Sequence, residues 1–287
     1  MPLSSETTAV VLDSTADLAD PAARHPNWRL VPLYVRFGEE TFRDHVDLAA
    51  ADFYDKLRAS SVQPQSSQPT PADFERAFAE LEGFERILCV LIAGKLSGTA
   101  ESARLAAQAT GDERVTVIDS ESVSGGVVIL ADAIQRRLQR GTTDEEIEEL
   151  TARFKRESTI LFTVDTLDYL VRGGRVGKAA GLAGQLLSVK PILAIDGGEV
   201  VPLKRVRGRA KALAELVRLF EEGTEDDPAL HVGVAHADAA VELETLVARM
   251  KELRPQASLD FDALLGPVIG THGGPGTIGL FWFRDDE

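Results

Sequence analysis

Cysteine is nearly absent: Cys89 stands alone among 287 residues. No disulfide can therefore close within the chain, and no thiolate cluster can hold a metal. Positive charge is scarce too. Lys and Arg number 31 against 46 Asp and Glu, for a net charge of −15. Phosphate contacts dominate nucleic-acid binding, so that charge balance argues against a nucleic-acid partner. An anionic ligand would need a local positive field to overcome the global one. No apolar run reaches the roughly 18 residues of a membrane helix. The opening M-P-L-S-S-E-T-T lacks a basic segment and an apolar core, so no signal peptide is read and a cytoplasmic location is expected. The five histidines lack metal-ligand spacing, since His231 and His236 lie at the two ends of a predicted strand. Neither an internal repeat nor a low-complexity tract is visible.

What is present describes an ordinary soluble protein, with 44% hydrophobic and 27% charged residues and length enough for two domains. Ile87–Ile92 is a continuous apolar run, the pattern of a strand buried on both faces. Thr99–Ala107, rich in small residues, suits a helix packed closely on it. Between them, Gly94-Lys95-Leu96-Ser97-Gly98-Thr99 brings hydroxyls to a helix N-terminus. There, unpaired N–H groups and the helix dipole favour an anion. The plainer reading is that Ser97 or Thr99 caps the helix.

Other strands end on polar residues as well. Ala9–Leu12 leads to Asp13-Ser14, with Asp17 expected in a first helical turn, and Val115–Ile118 leads to Asp119-Ser120. Three prolines within Gln63–Pro71 forbid a helix interior and read as a stiff connector. Thr70-Pro71 then opens a helix. Gly125–Leu138 and a helix opened by Thr142–Glu146 close the first half. Its strand–loop–helix repetition is the pattern of a mostly parallel sheet. In the second half, Ile160–Val164 is a strand, Asp165–Val171 reads as helical, and Asp196-Gly197-Gly198-Glu199 is a hairpin signal. Lys204, Arg205, Arg207, Arg209 and Lys211 form a basic cluster. Leu230–Ala235 and Ile278–Phe283 are strands. Gly266–Gly276, with five glycines, reads as a tight loop around His272, where backbone amides can approach an anion.

Two motifs mislead, and a third stays open. Gly274–Gly279 spells G-x-G-x-x-G, but only eight residues follow, whereas a dinucleotide site needs a helix and an acid about 20 residues on. Gly177-Lys178 lacks the first glycine and the Ser/Thr of a phosphate loop, which are Arg172 and Ala179 here. Ser97 with His272 would supply two members of a hydrolase triad, because triads are set by geometry rather than order.

Taken together, the chain resembles the DegV family, fatty-acid-binding proteins of the bacterial fatty acid kinase B-subunit type. The match is carried by V-V-L-D-S-T-A-D-L at 10–18, V-P-L-Y-V at 31–35, S-S-Q-P-T-P at 66–71 and L-S-G-T-A-E-S-A at 96–103. It continues with V-I-D-S at 117–120, D-T-L-D-Y-L-V-R-G-G-R at 165–175, K-P-I-L at 190–193, V-R-G at 206–208 and G-P-V-I-G-T-H-G-G-P-G at 266–276. The resemblance implies two α/β domains, 1–158 and 159–287, with a mostly parallel first sheet, a hairpin in the second, and a long-chain fatty acid such as palmitate between them. It implies no metal and no cofactor. Ser66, Ser67, Ser97, Gly98, Thr99, Thr271 and His272 would hold the carboxylate. Here Ser66 stands for the family's usual Thr, Thr70 for Ser, Ala93 often for Ser, and Gly273 for a common Thr. Candidates for the tail are Leu167, Leu170, Leu186, Leu187, Ile192 and Ile269. The expected role is a carrier that presents the carboxyl to the ATP-binding subunit of a fatty acid kinase, giving acyl phosphate. Arg172, Arg175, Arg207 and Arg209 are expected contacts for that partner or, transiently, for a membrane surface. The rival expectation is a serine hydrolase or esterase using Ser97 and His272.

Overall fold

The computed structural model describes residues 2–182 and 189–286. Its elements run β1 (Thr8–Asp13), α1 (Pro21–Arg24), β2 (Trp28–Val31), β3 (Tyr34–Phe37), β4 (Glu40–Arg43), α2 (Ala50–Ala59), β5 (Gln65–Ser67) and α3 (Pro71–Ala79). Next come β6 (Arg86–Leu91), α4 (Thr99–Thr110), β7 (Val115–Asp119), α5 (Gly125–Arg140), α6 (Asp144–Glu157), β8 (Thr159–Thr163) and α7 (Asp168–Arg172). The rest is β9 (Val189–Asp196), β10 (Glu199–Arg207), α8 (Arg209–Gly223), β11 (Leu230–His236), α9 (Ala240–Leu253), β12 (Ser258–Leu264), α10 (Pro267–Gly273) and β13 (Ile278–Arg284).

The apolar runs of β1 and β6 become the inner strands of a four-stranded sheet, β2-β1-β6-β7, parallel throughout. A six-stranded sheet, β10-β9-β8-β13-β11-β12, is antiparallel except for its β11–β12 edge pair. A small antiparallel sheet, β4-β3-β5, completes the α/β fold. The Gly197-Gly198 turn between β9 and β10 has positive φ at both positions, as a two-residue hairpin requires.

Helix α5 is buried along nearly its whole length. It packs on β1 and β6 on one side and on β11, β12 and β13 on the other. Val10 and Val90 of the parallel sheet, Val128 and Ile134 of α5, and Phe261 and Phe281 of the mixed sheet share one core. Its apolar residues make those contacts, while its buried Asp132, Gln135 and Arg137 are each paired, with Arg24, with Asn27 and Trp28, and with Asp285. The boundary expected at 158/159 falls between α6 and β8.

Four expectations change. Residues 267–273, read as loop, form α10, with Pro267 in its first turn. Its glycines serve close packing rather than turning, because a Cβ on Gly270 would lie 2.6 Å from Phe53 and 2.8 Å from the Tyr54 hydroxyl. The proline-rich connector contains β5, whose Ser66 pairs with Val35 of β3. Asp17 is not in a helical turn. It follows a short 3₁₀ turn at φ 54°, and its carboxylate accepts the Gly266 N–H at 2.7 Å. The expected helix 165–171 shortens to α7. Strand β12 escaped notice because its acidic residues, Asp260 and Asp262, break the apolar signal at a sheet edge.

Candidate functional site

Two cavities meet beneath α10. The first is walled mainly by apolar side chains: Leu96 after β6, Ile160 and Phe162 of β8, Ile195 of β9, Val268 and Ile269 of α10, and Phe281 of β13. The second is a polar vestibule bounded by Gln63, Gln65, Tyr169, Arg172 and Thr271. Ser66, Arg175 and His272 line both, so these three mark the junction between a greasy chamber and a wet one.

At that junction the Ser66 hydroxyl and His272 Nε2 lie 2.6 Å apart, although 206 residues separate them in sequence. Strand β5 delivers the serine and α10 the imidazole. The α7–β9 connection presses against the same ring: a Cβ on Gly173 would fall 2.1 Å from His272 Nδ1. Only glycine leaves room there. His272 Nδ1 is buried and unpartnered among the described residues. Burial, reinforced by the Arg175 guanidinium, pushes the imidazole down to about 4, so His272 is neutral at pH 7. A neutral imidazole has one N–H to donate. Arg175 is itself held, its Nε donating to the Leu96 carbonyl at 3.1 Å and its Nη1 to the Gly173 carbonyl at 2.6 Å.

Ser97 reaches the chamber from the start of α4. Neither hydroxyl caps that helix, contrary to the plainer reading: Gly98 is the N-cap, without a side-chain bond. Instead the Ser97 and Thr99 hydroxyls share a hydrogen bond of 2.8 Å, and Thr99 is fully buried. Gln68, which the sequence reading passed over, donates to Ser102 Oγ at 3.0 Å and the Gly98 carbonyl at 3.3 Å. A Cβ on Gly98 would lie 2.2 Å from the Gln68 amide oxygen. That contact clamps the Ser66–Ser67 strand to the first turn of α4. Asp13 plays a comparable part. Buried and shifted upward by desolvation, it accepts the Ile92 N–H at 2.7 Å and the Thr15 N–H at 2.9 Å, anchoring the strand end that precedes Ser97. Ser14 accepts the Leu33 N–H at 2.9 Å.

The structure thus brings Ser66, Ser67, Ser97 and His272 to the chamber, and Thr271 and Arg172 to the vestibule. Thr271 is buried, its hydroxyl donating to the Pro267 carbonyl at 2.8 Å. Gly98 and Thr99 stand behind Ser97 and line neither cavity, and neither do Arg207 and Arg209. Arg207 is exposed on β10; Arg209 lies 3.7 Å from Asp165 and 3.9 Å from Glu242. Of the tail candidates, Leu170 and Ile269 line the chamber. Leu167 and Ile192 belong to neighbouring cores, and Leu186 and Leu187 lie outside the described residues. Ser97 and His272 do not form a nucleophile–base pair: each bonds elsewhere, and among the described residues no carboxylate orients the ring. A hydrolase needs both links.

Among the described residues, no group of His, Cys, Asp and Glu side chains suits a metal ion, and no helix is long and apolar enough to cross a membrane.

A family model described as "Uncharacterised protein, DegV family" matches residues 7–285. A DegV domain-containing protein of Deinococcus radiodurans is 36% identical over 274 residues, covering 95% of this chain and 96% of that one. A fatty acid-binding protein of Thermotoga maritima is 33% identical, covering 94% and 96%. A fatty-acid-binding DegV family protein from Thermus thermophilus superposes with a TM-score of 0.88 at 33% identity, over 97% of this chain and 100% of that one.

Proposed function

This chain belongs to the DegV family, and on that premise we propose that it binds a long-chain fatty acid and carries it without catalysing its chemistry. One observation bears most of the weight: Ser66 and His272 converge where an apolar chamber opens into a polar vestibule. A carboxylate leaving water needs charge-assisted donors. The Ser66 and Ser97 hydroxyls and the His272 N–H supply them, Ser67 and Thr271 flank them, and the amides of Gly98 and Thr99 add the positive end of α4. Arg175 contributes field without a direct buried ion pair. The tail occupies the chamber, gaining about 0.8 kcal/mol per buried methylene, on the order of 10 kcal/mol before binding costs.

The two units, 1–158 and 159–287, hold the ligand between them, and the protein works in the cytoplasm. The vestibule leaves the carboxyl accessible to a separate ATP-dependent kinase subunit, which forms the acyl phosphate. Arg172 and Arg175 at the vestibule meet that partner or an anionic membrane surface, with Arg207 and Arg209 as outlying contacts. The test is solvent extraction of the purified protein followed by mass spectrometry, with titration of delipidated protein by palmitate. A co-purified fatty acid and saturable binding are expected. No acyl chain and no binding, or ester turnover that vanishes in Ser97→Ala, would overturn the reading.

A further inference from the structure

The hydroxyls on the chamber wall are not equivalent. Ser66 pairs with His272, Ser97 with Thr99, and Thr277 with the Gly274 carbonyl at 2.8 Å. Ser124 also lines the chamber, is 1% exposed, and its Oγ has no hydrogen-bond partner among the described residues. It immediately precedes α5, a 16-residue helix, and is its N-cap without capping it. Its amide donates to the Thr15 carbonyl at 3.0 Å, fixing the residue on the wall. The chamber's apolar lining includes Leu33, Val123, Ile160 and Phe281. A buried hydroxyl without a partner is costly, and the positive end of a long enclosed helix deepens the local preference for an oxygen.

We propose that Ser124 and the N-terminus of α5 form a second polar subsite inside the chamber, which takes a hydroxyl or carbonyl oxygen borne on the acyl chain itself. The preferred ligand class is then an oxygenated long-chain fatty acid rather than a plain saturated one. This rests on the fatty-acid reading above. An oxygen at the matching carbon gains a partner, whereas an oxygen anywhere else along the tail is stripped of water against aliphatic walls.

Delipidated protein titrated with stearate and a set of positional hydroxystearates separates these outcomes. One isomer, or two adjacent ones, should bind more tightly than stearate and at least about tenfold more tightly than the remaining isomers, the span between a satisfied and an orphaned buried hydroxyl. That selectivity should collapse in Ser124→Ala and in Ser124→Gly, the second variant being suited to the positive φ of this position (53°). Equal weakening by hydroxyls at every position, or selectivity that survives both variants, overturns the subsite while leaving fatty-acid binding intact. Failure of stearate and all isomers to bind overturns both the subsite and the reading beneath it.

Discussion

The apolar chamber and the polar vestibule share Ser66, Arg175 and His272 yet are built by different means. The chamber draws its walls from strands of the mixed sheet, from α10 and from the segment entering α5, so its shape is inherited from the rigid core. The vestibule draws on the segment 63–66, on α7 and the residues just after it, and on Thr271 and His272 of α10. Affinity should therefore reside mainly in the chamber, and selection for a carboxylate at the junction.

The largest effect should come from shortening the tail. Replacing a C16 acid by a C10 acid removes six methylenes and should cost about 5 kcal/mol, more than three orders of magnitude in Kd by calorimetry. A flat dependence on chain length would break the assignment of affinity to the chamber. Next is the junction: Ser66→Ala strands His272 Nε2 in a buried setting and should weaken palmitate binding by about 1–3 kcal/mol. The corresponding fatty alcohol should be affected less, and equal losses would mean that the serine does not read the carboxylate.

His272 sharpens the comparison through pH. Its folded value of about 4 lies below the ordinary 6.5, so the unfolded chain binds the proton first. Stability is intact above pH 6.5 and is lost as pH falls toward 4, by about 2 kcal/mol between pH 7 and pH 5. Denaturant unfolding of His272→Asn should lack that part of the slope. A bound carboxylate should raise the imidazole value, visible as a displaced titration in ¹H–¹⁵N spectra. Asp44, buried elsewhere and pushed up to about 7 by desolvation, works in the opposite sense: its contribution is lost as pH rises through 7. The smallest effect should be Arg172→Ala. That residue is exposed on the vestibule, so palmitate affinity should change less than about threefold at physiological salt, while association with an acidic partner or vesicle slows.

Much of the candidate site was legible beforehand because its parts lie in short motifs: Ser66 in S-S-Q-P, Ser97 in L-S-G-T, His272 among glycines. The meaning of those glycines was not legible. Gly270 and Gly173 look like turn formers, yet one admits Phe53 and Tyr54 and the other admits the His272 ring. Such contacts join residues far apart in the chain and leave no local periodicity. Arg175 likewise looked like surface charge, and its two carbonyl acceptors at the junction depend on folding. Gln68 and Ser124 carried no signal beyond their neighbours in motifs.

By itself the sequence determined the buried parallel strands, the hairpin, most helix starts and the types of residue available to hold an anion, because these follow from periodicity, capping and turn chemistry within a few residues. Tertiary structure alone decided that α5 is shared by two sheets, that residues 267–273 coil into a helix, and that Ser66 meets His272 across 206 positions. Close packing is the reason: which backbones can approach, and which polar atoms are left without partners, depends on neighbours that only the folded chain supplies.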